Sequence, residues 1–379
     1  MNQTTLAELL RERIRHLGRM TFADFMAACL YEPGLGYYTS PGRKVGAQGD
    51  FYTSITVHAA FGRVIAREIA AMWRSMDRPN DFTLVESGAG HGRLSCDIMD
   101  FLAQQEPDCY AVSSLVLVEK EPSLAEAQAE LLTAHRARLD WRTPGELANG
   151  FSFSGVLYSN ELLDAMPVHR VLMTPQGLRE LYVTLDGDQF AEQPDLPSTP
   201  ALETYLQQHG APLVPGQEAE VSLAGLSWLE AAAAALQRGF VLTVDYGFPK
   251  AELYAPRRKQ GTLLCYHRHQ VEDNPYERIG QQDITTHINF SALMERGEEL
   301  GLATVWFGEQ YRFLLAAGIV EELEALESSN LPEADKLKAR LTLKRLIMPE
   351  GGMGDTFRVL VQSKGVSNPQ LGCLRGIGI

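Results

Sequence analysis

The chain has 379 residues, 45% hydrophobic and 22% charged, with a formal net charge of −14. That length supports a sizeable core and either two domains or one elaborated domain. The acidic balance argues against a nucleic-acid partner, which rewards a basic surface, while remaining compatible with a cationic substrate.

No apolar run approaches the roughly 20 residues of a bilayer span, so membrane insertion is not expected. The five cysteines, Cys29, Cys96, Cys109, Cys265 and Cys373, are scattered without a C-x-x-C pair. That spacing speaks against structural zinc and fits a reducing compartment; no metal is expected. Without a signal-peptide pattern, bacterial cytoplasm is the expected location.

In chain order, an apolar stripe of Leu6, Leu9, Leu10, Ile14 and Leu17 predicts a first helix ending near Gly18. A second helix starts near Thr21. Residues 31–54 are rich in glycine and aromatics, too special in composition for a plain connector. Val57 to Met76 reads as a long amphipathic helix. Phe82 to Arg93 (FTLVESGAGHGR) reads as a buried strand, a glycine turn and a helix start. Residues 115–119 form a second strand, Pro122 to His135 a helix, Arg138 to Trp141 a short strand and Ser154 to Asn160 a further one.

Residues 168–173 and 178–185 read as a hairpin, and 187–217 as a polar, proline-containing insertion. Leu223 to Leu236 is helical, Gly239 to Asp245 a buried strand, and 249–282 a long loop region in which Arg257, Arg258 and Lys259 are read as a solvated cluster. His267 and His269 are read as loop residues. Phe290 to Leu300 is helical and Ala303 to Phe307 a strand. Residues 309–324 and 332–347 are helices, and Thr356 to Gln362 is a last strand. Alternating strands and helices predict an α/β fold with a doubly wound, mostly parallel sheet. Ligands in such sheets sit at the carboxyl ends of the strands, where Glu86, Glu119, Asn160 and Glu161 fall.

Two cofactor readings are open for the glycine turn, beside a purely structural one. A dinucleotide fingerprint is G-x-G-x-x-G, with its acid about 20 residues on. Here the order is E-x-G-x-G-x-G: Glu86 precedes Gly88, Gly90 and Gly92, and Glu119 closes the next strand. An acid there can accept both ribose hydroxyls of an adenosine. The arrangement resembles the first two motifs of class I S-adenosylmethionine (SAM) methyltransferases.

Three further stretches carry chemistry. Gly49, Asp50, Phe51, Tyr52, Thr53 and Ser54 read either as a helix N-cap or as a lid over a cofactor. Asn160 to Pro167 places Glu161 and Asp164 three apart on an expected helical turn. Paired carboxylates there suit a guanidinium; the plainer reading is acids at a helix start. Asp245 ends a buried strand, and Asp283 is either a site residue or a turn residue.

Together the pieces YEPGLGYYT, GDFYTS, VESGAGHG, LVEKEPSL, NELLDAMPVHR, VDYGFP, DITTHINF and MGDTFRVLVQSKG resemble the MidA family, in order from about residue 20 to 365. That resemblance implies a Rossmann-like class I methyltransferase with a seven-stranded sheet, an N-terminal helical extension and insertions. It implies SAM as cofactor, S-adenosyl-homocysteine (SAH) as product, and a protein arginine as acceptor, linked to assembly of a respiratory complex I-type partner. Gly88, Gly90, Gly92, Glu86, Glu119, Lys120 and Asn160 would hold SAM, with Gly49, Asp50, Phe51, Thr53 and Ser54 covering it. Glu161 and Asp245, then Asn160, Asp164 and Asp283, would orient the acceptor. Ala89 and His91 replace the family's proline and arginine, and Asn289 stands where an acid is expected.

The expected organisation is 1–80 for N-terminal helices and lid, 81–186 for the SAM-binding core, 187–238 for an insertion, 239–365 for the rest of the core and 366–379 for a tail. An oligomer is compatible with this. The alternatives are a SAM-binding assembly factor with little turnover and, third, an NAD(P)-dependent oxidoreductase.

Overall fold

The computed structural model describes residues 4–40, 59–121, 124–268, 270–348 and 357–375. It divides into two compact units: Met1–Tyr52 with Leu163–Ser227 and Tyr246–Glu295, and Thr53–Leu162 with Trp228–Asp245 and Arg296–Ile379.

The second unit carries seven strands of an eight-stranded sheet: β1 Phe82–Ser87, β2 Ser113–Val118, β3 Leu139–Arg142, β4 Phe153–Asn160, β5 Leu236–Phe248, β6 Ala303–Glu309 and β7 Phe357–Lys364, the eighth, Ile288–Asn289, pairing with Gly247 and Phe248 at the end of β5. The spatial order is β6–β7–β5–β4–β1–β2–β3. The β5–β4–β1–β2–β3 ladder is parallel throughout, and β6 runs antiparallel to β7. β1 and β2 are buried along nearly their whole length, as a strand covered on both faces must be, which is why they read as unbroken apolar runs. Glycine lets the central strands approach. A Cβ on Gly155 would lie 2.0 Å from the Thr83 carbonyl oxygen, and one on Gly239 would lie 1.9 Å from that of Gly155.

The main sheet of the first unit is antiparallel. Its five strands join Met20–Thr21, Gly177–Asp186, His169–Thr174 and Glu218–Val221 in that order, with Gln189–Asp195 alongside Gly177–Asp186. The expected hairpin is the His169–Thr174 and Gly177–Asp186 pair. The helices Leu6–Leu17 and Phe22–Tyr31 bury Leu10, Ile14, Phe22 and Phe25 in its core. A smaller sheet pairs Leu264–His267 with Gln270–Glu272 and Asp283–Thr285.

Several local expectations are corrected. The stretch 187–217 contains a strand and the helix Ala201–His209, and the loop region 249–282 contains two strands. The single helix expected over 309–324 is two, Gln310–Ala316 and Ile319–Glu327, broken where Gly318 takes φ 103°. The described part of the helix expected from Pro122 is Leu124–Leu131, followed by a 3-10 segment, Thr133–Arg138.

Asn289 precedes the helix Phe290–Glu299. Its Nδ2 donates to the His209 carbonyl oxygen at 2.8 Å, and its Oδ1 accepts from the Ala292 N–H at 3.2 Å. Only an amide can make both bonds; a carboxylate would set like partial charges together at His209. That accounts for an amide where an acid was expected.

Candidate active site

The glycine turn leaves β1 and enters the helix Arg93–Gln105. Gly88, Gly90 and Gly92 all have positive φ, at 75°, 53° and 78°, a conformation costly for other residues. Gly88 N–H donates to the Val118 carbonyl oxygen at 2.9 Å, tying the turn to the end of β2. A Cβ on Gly88 would lie 2.6 Å from Leu162 Cδ1, so only glycine lets that side chain pack there. Gly90 differs: among the described residues a Cβ on it would meet nothing within 4 Å, which leaves room for a ligand.

Glu119, just past β2, bends over the turn. Its Oε2 accepts from Gly90 N–H at 3.0 Å, and its Oε1 from Lys120 N–H at 2.7 Å and Glu121 N–H at 3.1 Å. Burial, as the largest cause, pushes its pKa up, and the three N–H groups oppose that by favouring the charged form. Lys120 thus enters through its backbone. Sequence reasoning missed a brace on the other side: Gln128 Nε2 donates to the Gly90 carbonyl oxygen at 2.7 Å, and Trp141 Nε1 donates to Gln128 Oε1 at 2.8 Å.

At the end of β4, Asn160 is buried, and its Oδ1 has no hydrogen-bond partner among the described residues. A buried acceptor without a donor is costly and marks a place where a ligand N–H or ammonium would be stabilised. Asn160 Nδ2 donates to Glu161 Oε1 at 3.0 Å. Glu161 has φ 52°, strained for a residue with a Cβ. Its N–H still pairs with the Val244 carbonyl oxygen at 3.0 Å, so the β4–β5 ladder holds it there. Asp245, fully buried at the end of the β5 segment of this unit, accepts from the Leu162 N–H at 3.2 Å. No helix forms over 161–167: Glu161's positive φ breaks the helical path, so the expected helical turn carrying Glu161 and Asp164 is corrected.

The first unit gathers the other acids. The Tyr38 hydroxyl lies 2.9 Å from both carboxylate oxygens of Asp283, and Ile284 N–H donates to Asp283 Oδ1 at 3.0 Å. Tyr38 stacks on Tyr31 at 5.5 Å, and the Tyr31 hydroxyl donates to the Ala165 carbonyl oxygen at 3.0 Å, beside Asp164. Burial first, then the charge of Asp283, pushes the Tyr38 pKa well above the phenol range, so it stays a donor. The Asp164 carbonyl accepts from Thr286 N–H at 3.0 Å. Neither tyrosine was singled out from the sequence; both lie in its YEPGLGYYT stretch. Gly49, Asp50, Phe51, Thr53 and Ser54 lie outside the described residues.

The open face at Gly90, the oriented carboxylate of Glu119 and the unpaired acceptor of Asn160 fit the adenosine and amino-acid ends of SAM. The sheet order and this turn define a Rossmann-like methyltransferase, and the chain belongs to the MidA-type family of S-adenosyl-L-methionine-dependent methyltransferases, whose model matches residues 64–308. Its cofactor is SAM. It is 28% identical over 383 residues to the mitochondrial protein arginine methyltransferase NDUFAF7 of Danio rerio, spanning 92% of this chain and 84% of that protein. The Homo sapiens NDUFAF7 is 29% identical over 366 residues, 87% of this chain and 77% of that protein. A superfamily member from Burkholderia thailandensis, solved bound to SAH, is 30% identical with a TM-score of 0.85, covering 97% of this chain and 94% of that one.

Proposed function

We propose that this methyltransferase acts on an arginine side chain of a protein, a subunit of a respiratory complex I-type partner. The observation that carries this reading is Glu161, held at φ 52° at the carboxyl end of β4 beside Asn160. Strain at a strand end is kept where a side chain must point in one direction. The names carried by relatives along most of the chain support a protein arginine as acceptor.

Bound SAM supplies a methyl group already activated on a sulfonium. The chain's own residues then orient the acceptor and manage its proton. Glu161 is assigned to hold the guanidinium and receive the proton that leaves its nitrogen as the new N–C bond forms. Asp245, through the Leu162 N–H, fixes the backbone that follows Glu161. Asp164 and Asp283 are assigned to acceptor binding, because a tyrosine-braced acid cluster suits a planar cation. Gly88, Gly90, Gly92, Glu119 and Asn160 are assigned to SAM, with Gly49–Ser54 as its cover. Five buried free thiols support a reducing, cytoplasmic setting.

The test is methyl transfer from labelled SAM to complex I-type subunits purified from the parent organism lacking this protein. Label on arginine supports the reading. Label on another residue type sinks the arginine assignment, and SAH binding without any transfer favours a SAM-binding assembly factor.

A further inference from the structure

Glu86, the acid that opens the glycine turn, faces into the fold. It is 2% exposed. Ser95, on the helix Arg93–Gln105, donates its hydroxyl to Glu86 Oε2, and Ser95 Oγ lies 2.7 Å from the Tyr158 hydroxyl. Tyr158 is the neighbour of Glu86 across the β1–β4 ladder, and both Ser95 and Tyr158 are wholly buried.

No cation answers this carboxyl. Among the described residues Glu86 has no ion-pair partner, and Arg93 on the same helix pairs with Asp97. The titratable groups acting on it are Tyr158 from β4 and Glu119 from the end of β2, and Glu119 carries the same sign of charge. A buried carboxylate beside another acid is strongly disfavoured, whereas a carboxylic acid satisfies the same neighbours without charge.

We propose that Glu86 is a neutral positioning residue which, through Ser95 and Tyr158, holds β1 to the following helix so that the glycine turn keeps the shape that receives SAM. It is not a carboxylate ligand of the cofactor. Burial, ahead of every other cause, pushes its pKa up to about 8. Ionisation places a charge under the turn and beside Glu119, so cofactor affinity falls as pH rises through that range. A carboxylate contacting the cofactor's ammonium gives the opposite sign.

The probe is SAH, titrated calorimetrically into the wild-type protein and Glu86→Gln from pH 6.5 to 9.5. The ligand's own titration is common to both proteins, so the ratio of affinities isolates Glu86. The expected ratio is within about threefold at pH 7, with the wild type falling about tenfold relative to Glu86→Gln by pH 9.5. A loss of more than about tenfold in Glu86→Gln at pH 7, or a ratio unchanged with pH, overturns the proposal. Should Glu86→Gln not fold, the assigned Glu86 side-chain carboxyl resonance of the unliganded wild type decides. Titration near 8 upholds the assignment, and titration in the ordinary carboxylate range contradicts it.

Discussion

The SAM end of the parallel sheet and the tyrosine–aspartate cluster of the first unit are built in opposite ways. In the first, the backbone makes the site: three glycines at positive φ, N–H groups on Glu119, and a carbonyl held by Gln128. In the second, side chains make it: two stacked tyrosines bracing Asp283 and the chain beside Asp164, drawn from stretches up to 252 residues apart (Asp283 against Tyr31). A backbone-built site must place its glycines in consecutive turns, so it leaves a short, readable spacing. A side-chain-built site leaves none.

The largest effect that separates the two ways of building is expected at Glu161, which is proposed for the acceptor side and follows a strand of the sheet. Glu161→Gln keeps the shape and removes the proton acceptor, so kcat should fall roughly 10³-fold while SAH affinity stays within about threefold. Calorimetry alongside steady-state rates checks this, and a parallel loss of SAH binding would move Glu161 into the cofactor site. Next comes Gly90→Val. A β-branched residue at φ 53°, filling the open face, should weaken SAH binding about 100-fold or more with the fold retained. A calorimetric affinity within about fivefold of wild type would remove the turn from the site.

Tyr38→Phe sharpens the comparison from the other side. Losing a hydroxyl donor to a carboxylate costs roughly 1.5–3 kcal/mol. The KM for the protein acceptor should therefore rise about 10- to 100-fold with SAH affinity unchanged, as initial rates at varied acceptor would show. Unchanged kinetics would leave the cluster purely structural.

A further effect is on stability rather than on binding or rate. The folded-state pKa of Glu86 is raised above the ordinary value of 4.5, to about 8, by burial. A raised carboxyl binds its proton more tightly in the folded state, so stability is full below the unfolded pKa. It is lost as pH rises from about 4.5 to 8, at up to roughly 1.4 kcal/mol per pH unit. Urea unfolding of wild type against Glu86→Gln should show that slope flattened in the variant, and equal slopes would place the Glu86 pKa in the ordinary range.

This contrast also explains what was legible in the sequence. The glycine turn, Glu119 and the buried strands β1, β2 and β4 could be read because each writes a contiguous pattern: fixed glycine spacing or an unbroken apolar run. Gln128 and Trp141 could not, since their value lies in one amide bridging an indole and a carbonyl, which no spacing encodes. Glu161's positive φ was hidden for a related reason; it goes with long-range pairing to Val244, whereas local propensity favoured a helical turn. Gln189–Asp195 shows no apolar alternation because it is mostly solvent-facing, so it read as an insertion. Tyr38 stood inside a stretch read for its composition and its family resemblance, and Asp283 was left open between a site residue and a turn residue, because no local pattern shows which tyrosine reaches which acid.

The most direct measurement of the central claim is tandem mass spectrometry of complex I-type subunits after incubation with this protein and methyl-deuterated SAM. Deuterated methyl on an arginine guanidinium, absent with Glu161→Gln, is the predicted result. Deuterium on another residue type, or equal labelling by the Glu161 variant, would contradict the account.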